Sequence, residues 1–306
     1  MEHRARRPAR WLASAAARLT FMSGVGYVAA AYAVSRYLTH PRRRPIGVNP
    51  LEVGIERKPL EIVAEDGITL AGWLFEPANP RGTVALFHGM RRNREQLLSR
   101  VAFLVAAGFR CITIDHRAHG ESGGKRVSFG WYEARDVKAV AKWIAENRPA
   151  EPRYALGISM GAAAICYAGP ECGWKGIILE CVYADLRNAF KRRIGALYPA
   201  WFGQLYPGTI WFTQKRLRVR MSDLRPAAAA QRFHGVRVLG MAGTKDLLAP
   251  LADTFEVLAS IPGPTESSAV PGAGHNDVCE IGGEVYQKRI VAFLRNEGAA
   301  SIDFFS

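Results

Sequence analysis

From about residue 60 to residue 297, short apolar runs alternate with stretches of helical spacing, and this rhythm limits the fold more than any other feature. Thr83–Phe87, Phe109–Ile114, Tyr154–Ile158, Gly176–Leu179 and Val236–Met241 are short and largely apolar, as strands buried on both faces must be. Ser267–Val270 would complete the sheet. Helical spacing occupies Glu95–Ala106, Phe129–Glu146, Met160–Ala168, Leu251–Ser260 and Glu284–Leu294, with Gly108 and Pro149 as stop signals. Such β–α alternation predicts a mostly parallel sheet covered by helices on both faces. Leu60–Ala64 and Ile68–Phe75 depart from it, because the turn Glu65-Asp66-Gly67 joins them as a hairpin. The 306 residues suffice for one large domain of this kind, and no linker, repeat or low-complexity tract interrupts it.

A sheet of this type places its functional loops after the carboxyl ends of the strands. Gly157-Ile158-Ser159-Met160-Gly161 lies at such a place, between the apolar Tyr154-Ala155-Leu156 and the small-residue run Ala162-Ala163-Ala164-Ile165. The spacing G-x-S-x-G allows a sharp strand-to-helix turn that exposes the Ser hydroxyl. Gly120-Glu121-Ser122-Gly123-Gly124 has the same spacing, but a charged loop precedes it and Lys125-Arg126 follows. Context therefore selects Ser159 as the candidate nucleophile. The bland alternative is a tight turn without chemistry. The Met160 N–H, at the start of a helix, is a candidate oxyanion donor. A second donor is expected after the Thr83–Phe87 strand, where His88-Gly89-Met90 offers the Met90 N–H.

A Ser hydroxyl needs a base, and His is the usual one near neutral pH. Of seven histidines, His3 and His40 lie near the amino terminus, His116 and His119 share the loop of Ser122, and His234 precedes a strand. His88 reads as structural. His275 follows the last strand in the setting Pro271-Gly272-Ala273-Gly274 and is the candidate base. The acid that would hold its tautomer is Asp246, which follows Val236–Met241 through Ala242-Gly243-Thr244-Lys245. Asp253 is expected one turn into the next helix, Asp277 is a neighbouring loop carboxylate, and Asp115 reads as a loop anchor. The chain order Ser159, Asp246, His275 is that of a strand-to-helix nucleophile with its partners downstream.

These pieces together resemble the α/β-hydrolase superfamily, specifically its Bem46-like and serine aminopeptidase-like single-domain hydrolases. The resemblance rests on His88-Gly89, Asp115-His116-Arg117-Ala118-His119-Gly120-Glu121-Ser122, Gly157–Gly161, Gly243-Thr244-Lys245-Asp246 and Gly274-His275, across residues 60–297. It implies an α/β-hydrolase fold with a mostly parallel eight-stranded sheet and a catalytic triad that needs neither metal nor organic cofactor. Ala118 departs from the pattern, since relatives commonly carry Gly there. The fold hosts esterases, lipases, thioesterases and peptidases, so it does not name the substrate. Carboxylic ester or thioester hydrolysis is the expected activity, with a peptidase or a catalytically silent membrane adaptor as the alternatives.

The formal net charge is +14, of which residues 1–58 and 187–220 each carry +8. No zinc spacing or nucleic-acid motif accompanies these patches, so nucleic acid is not an expected partner; an anionic membrane surface or acyl substrate is. Residues 1–58 read as a basic leader, and residues 59–298 as the hydrolase domain. Leu19–Ser35 is uncharged and would span roughly 26 Å as a helix, which predicts a membrane anchor. A signal peptide cleaved after Ala31-Tyr32-Ala33 and a helix packed on the domain are the alternatives, and Arg42-Arg43-Arg44 would hinder export. More than fifty residues separate the strands ending at Leu179 and beginning at Val236, too many for an ordinary connection. Residues 185–231 are therefore expected to form a helical cap, with Phe190, Tyr198, Trp201, Phe202, Tyr206, Trp211 and Phe212 among its basic residues. Such a mixture suits an acyl substrate or an anionic lipid surface, and equally a cap with an apolar underside. The odd cysteine count, Cys111, Cys166, Cys172, Cys181 and Cys279, without a C-x-x-C pair, predicts buried thiols rather than a disulfide framework.

Overall fold

The computed structural model describes residues 6–41, 43–47 and 56–296; the side chains of residues 6–22, Leu197 and Trp201 lie outside that description, as does His3. Strands β1 (Lys58–Val63) and β2 (Thr69–Phe75) form the expected antiparallel hairpin, turned by Gly67 at φ 78°. β2 pairs antiparallel with β4 (Arg110–Ile114), and every later pairing is parallel. β3 (Thr83–Phe87), β5 (Arg153–Ile158), β6 (Gly176–Glu180), β7 (Arg237–Gly243) and β8 (Thr265–Val270) complete an eight-stranded sheet in the order β1-β2-β4-β3-β5-β6-β7-β8.

The central strands are largely apolar because both faces are covered. Ala85 and Phe87 join one core cluster, with Val137 and Val140 of α3 (Glu133–Asn147) and Ala162 and Ile165 of α4 (Met160–Ala168). Val84 and Leu86 join the other, with Val101 and Leu104 of α2 (Leu98–Ala106) and Ile290 and Phe293 of α9 (Val278–Arg295). Chain order moves from β3 out to β4 and back across to β5. The crevice beyond β3 and β5 is thus the switch point where such sheets bind ligands.

Helix limits differ from the sequence expectations where local polar contacts intervene. α3 begins at Glu133 rather than Phe129, because Phe129 and Gly130 adopt φ 57° and 97°. The buried Glu133 carboxylate then accepts the Ser128 and Gly130 N–H groups, each at 2.9 Å. The segment from Glu95 starts as a 3₁₀ turn, Arg94–Leu97, capped by Asn93. α9 begins earlier than expected and breaks at Gly283.

Between β6 and β7 the chain is helical, as expected of a cap: α5 (Leu186–Leu197), a 3₁₀ turn (Ala200–Leu205), α6 (Tyr206–Leu217) and α7 (Pro226–Ala230); α8 (Leu251–Ala259) then joins β7 to β8. The amino-terminal helix α1 (Arg6–Thr39) lies along α6. Ala31, Ser35 and Thr39, four residues apart, form its buried stripe. Thr213 donates to Ser35 Oγ at 3.0 Å, Arg216 to Thr39 Oγ1 at 3.0 Å, and the Gly208 N–H to the Tyr27 hydroxyl at 3.1 Å. A Cβ on Gly208 would stand only 2.8 Å from that of Ala31.

The expected bilayer span over Leu19–Ser35 is not supported: among the described residues no helix is long and apolar enough to cross a membrane. The Ala, Gly and Ser content that keeps this segment only moderately hydrophobic is also what lets α1 approach α6 closely. Beyond α1, the Arg43 guanidinium donates to the carbonyls of His119, Gly120, Ser122 and Gly124, and the Gly47 N–H to Glu95 at 2.7 Å.

Candidate active site

Ser159 alone separates β5 from α4, with φ 53° and ψ −108°. A non-glycine residue held there costs of order 1–3 kcal/mol, so its surroundings must impose it. The flanking glycines show how. A Cβ on Gly157 would lie 2.6 Å from the Ala162 nitrogen, and one on Gly161 2.3 Å from the Phe87 carbonyl oxygen. Backbone meets backbone at both points, and only glycine fits. The Ser159 N–H donates to the Glu180 carbonyl at 2.8 Å, and its own carbonyl accepts from Ala163 at 2.9 Å to start α4.

The loops after β7 and β8 bring the other two candidates to it. His275 Nε2 stands 3.0 Å from Ser159 Oγ, and its Nδ1 2.7 Å from Asp246 Oδ2. A carboxylate oxygen only accepts, so the Nδ1 proton points at Asp246 and leaves Nε2 free to accept from the Ser159 hydroxyl. Asp246 is buried, and its other oxygen accepts the Leu248 and Ala249 N–H groups at 2.8 and 2.9 Å, which fixes the carboxylate plane. Asp277 Oδ1 accepts the Gly274 N–H at 2.6 Å and so shapes the His275 loop. Asp253, in the first turn of α8, pairs instead with Arg192.

Met90 and Met160 line the cavity that holds Ser159 and His275. The N–H groups on either side of Met90 are engaged, Gly89 with Gln96 Oε1 at 2.9 Å and Arg91 with His119 Nε2 at 3.1 Å. Met160 is the first residue of α4, where an N–H has no acceptor in its own helix. Both candidate donors thus belong to pinned backbone in the wall of the Ser159 cavity.

The competing residues are occupied elsewhere. Ser122 is buried, donating to the Asp115 carbonyl at 2.5 Å and accepting from the Ala71 N–H at 2.9 Å. Asp115 anchors its loop through the Arg94 and Glu121 N–H groups. His88 donates from Nδ1 to the Gly89 carbonyl and accepts from the His116 N–H at Nε2. Burial, with His116 and His119 beside it, holds its pKa well below the usual histidine range. Burial also lowers His119 to about 4. Ala118 has φ 63°, the left-handed conformation for which glycine is better suited.

Several neighbours escaped the sequence reading. Arg100, Glu180 and Tyr286 form a buried network behind the site: Tyr286 donates to Glu180 Oε2 at 2.6 Å, and Arg100 bonds both Glu180 oxygens. Their spacing of 80 and 106 residues leaves no local signal. Cys181 offers, with Asp246 and His275, donor atoms within 4.8 Å of one another. Burial, then the charges of Glu180 and Asp246, push its thiol pKa well up, and a protonated thiol is a poor metal ligand. All five cysteines are free and buried.

A cavity of about 460 Å³ opens between α1 and the cap, walled by Val34, Tyr37, Phe190, Ile194, Tyr206 and others. Met90, Phe190 and Arg193 border both it and the smaller cavity at Ser159.

Residues 78–233, half of the chain, match the model of a hydrolase family described as serine aminopeptidase, S33. The chain belongs to this family of α/β hydrolases. An esterase from Pyrococcus furiosus superposes with a TM-score of 0.72 at 22% identity, covering 85% of this chain and 98% of that one, a likeness in fold. An uncharacterized protein of Bacillus subtilis is 27% identical over 250 residues, 79% of this chain and 80% of its own length. A monoacylglycerol lipase of Mycolicibacterium smegmatis is 35% identical over 89 residues, covering 28% of this chain and 32% of the lipase.

Proposed function

We propose that this hydrolase is a serine esterase in which Ser159, His275 and Asp246 form the catalytic triad. The observation that carries the reading is the unbroken chain Ser159 Oγ to His275 Nε2 at 3.0 Å and His275 Nδ1 to Asp246 Oδ2 at 2.7 Å. His275 accepts the Ser159 proton as Oγ attacks the acyl carbon, and the Met90 and Met160 N–H groups hold the oxyanion that forms. His275 then gives the proton to the departing alcohol or thiol. In the second half it takes a proton from water, whose oxygen attacks the acyl-enzyme, and returns that proton to Ser159 Oγ as the acid leaves. The reaction consumes only water, and a thioester would follow the same steps. The Mycolicibacterium lipase and the Pyrococcus esterase, as named, agree with ester chemistry.

The walls of the cavities support an acyl substrate. The residues lining the space at Ser159 are mainly apolar, among them Phe129, Tyr183, Leu186 and Phe190, and this space adjoins the cavity beneath α1. An aminopeptidase must hold a cationic substrate amine, yet no Asp or Glu lines these cavities among the described residues, whereas Arg193 does. The charge thus favours an ester over an amino-terminal peptide.

Membrane association belongs to the same proposal, as attachment to a surface. Val25, Val28 and Tyr32 of α1 and Trp211 of α6 are exposed, and Lys215 lies 5.7 Å from the Trp211 ring. Co-sedimentation with anionic vesicles, weakened in Trp211→Ala, tests that part. The enzyme reading is tested by labelling with a fluorophosphonate probe and by hydrolysis of p-nitrophenyl esters. Both are expected to fall about 10⁴-fold or more in Ser159→Ala. A folded protein that neither labels nor cleaves any ester would instead indicate a silent adaptor.

A further inference from the structure

A further cavity of about 300 Å³ reaches Ser159, sharing Met90, Arg193 and His275 with the apolar one but differing in character. Arg44, Arg91, Arg92 and Arg193 stand in its wall with Gln96, Ser159, His275 and Asn276, and no carboxylate does among the described residues. Other arginines of the domain meet acids: Arg192, the neighbour of Arg193, binds Asp253, and the buried Arg117 binds Asp66 and Asp136. Arg91 is also engaged, donating to the Tyr37 hydroxyl and carbonyl with its guanidinium over the Tyr37 ring. The Arg92 guanidinium donates to the neutral Asn276 amide oxygen at 3.3 Å. Burial lowers the pKa of Arg92, and so does the like charge of Arg44 beside it. Arg44, Arg92 and Arg193 have been brought together from the leader, the β3 loop and the cap, and among the described residues no acid stands with them in that wall. Such a group is relieved when an anion binds between its members.

Position indicates which part of a substrate that anion would be. His275 must hand its proton to the leaving group, and His275 with Asn276 forms part of this wall. The mainly apolar cavity that also reaches Ser159 has Phe129, Tyr183 and Leu186 in its wall, which this one lacks, and suits the acyl chain. We propose that Arg44, Arg92 and Arg193 form a subsite for a negatively charged leaving group, so that the preferred substrates are acyl esters whose alcohol carries a phosphate a few bonds from the ester. This assignment rests on the reading of Ser159 as the nucleophile. It also gives the leader a role in specificity, because Arg44 follows α1 and is held near Ser159 by its clamped neighbour Arg43.

A matched pair of soluble substrates, 1-octanoylglycerol 3-phosphate and 1-octanoylglycerol, tests the subsite. The ratio of their kcat/KM values is independent of the fraction of active protein. The wild-type chain is expected to favour the phosphate at least tenfold. Arg44→Gln, Arg92→Gln and Arg193→Gln should each lower that ratio about five- to tenfold, and raising NaCl from 0.15 to 0.5 M should lower it severalfold by screening. A wild-type ratio near one, or a preference that none of the three replacements reduces, overturns the proposal.

Calorimetric binding to Ser159→Ala provides a readout without turnover. Octyl phosphate should bind at least tenfold more tightly than either octanol or inorganic phosphate, and the difference from octanol should shrink in the arginine variants. Cleavage of the neutral ester without any phosphate preference in either assay sinks the subsite and leaves the esterase reading intact. Absence of all hydrolysis, with arginine-dependent binding of octyl phosphate, overturns the esterase reading and with it the leaving-group role, leaving an anion-binding cluster alone.

Discussion

Gly161→Ala isolates the geometric demand that the strand-to-helix turn makes. The added Cβ would meet the Phe87 carbonyl oxygen at 2.3 Å, its carbonyl carbon at 2.7 Å and the His88 carbonyl oxygen at 2.9 Å. Ordinary contact begins near 3.4 Å, so α4 and β3 must separate by about 1 Å. No side chain can turn aside to absorb this, since the obstacle is the backbone of a strand paired on both edges. Overpacking of this kind costs about 1–3 kcal/mol. Alanine recovers up to about 1 kcal/mol of helix propensity, leaving a net loss of about 1 kcal/mol at the middle of that range.

The same displacement carries Ser159 and the Met160 N–H away from the β3 loop and its Met90 N–H. A misplacement of about 1 Å in a reacting geometry is worth roughly a hundredfold in rate. Urea unfolding and p-nitrophenyl butyrate hydrolysis report the two quantities. Gly195→Ala, in α5 with no atom within 4 Å of its new Cβ, is the control and should gain up to about 1 kcal/mol. A Gly161→Ala protein within twofold of wild-type activity and as stable as the parent would refute the steric argument.

Other perturbations separate further causes. Ser159→Gly should be about 1 kcal/mol more stable than Ser159→Ala, because glycine adopts the positive φ without strain; equal stabilities would remove strain from the account. His119 is buried with its pKa lowered to about 4, so unfolding takes up a proton between pH 6.5 and 4. Its contribution, about 3 kcal/mol, is complete above pH 6.5 and declines as pH falls toward 4. Urea midpoints measured against pH should therefore fall over that window, and less steeply in His119→Gln. Arg100→Leu leaves the Glu180 carboxylate buried without its cation and should cost about 3–5 kcal/mol. The double replacement Arg100→Leu with Glu180→Leu should recover much of it, and a double variant no better than the single would contradict this. Val34→Trp narrows the space beneath α1, so the preferred acyl chain should shorten across a series of p-nitrophenyl esters; an unchanged profile would detach that cavity from the acyl group.

The sheet was legible in the sequence because its physics is local. Strands buried on both faces must be largely apolar runs, and Gly157 and Gly161 mark a turn where backbone approaches backbone. Ser159, Asp246 and His275 each follow a strand, so their positions along the chain already placed them at one edge of a parallel sheet. Helix starts were legible only where no long-range or special backbone state intervened: the apolar spacing ran back to Phe129, but Glu133 and the positive φ of Phe129 set the start of α3. Ser122 shows the reverse case, a motif match whose hydroxyl is spent on the Asp115 carbonyl.

Tertiary structure decided what periodicity could not. Hydropathy alone reads Leu19–Ser35 as a candidate span; packing of Ala31, Ser35 and Thr39 on α6 makes that helix a wall of the cap cavity. The buried trio Arg100, Glu180 and Tyr286 and the cluster Arg44, Arg92 and Arg193 both join residues far apart in the chain. Short-range pattern determines which residues end a strand or begin a helix, because those choices depend on neighbours within a few positions. Which charges meet, and which helix roofs a cavity, depends on how distant elements close on one another.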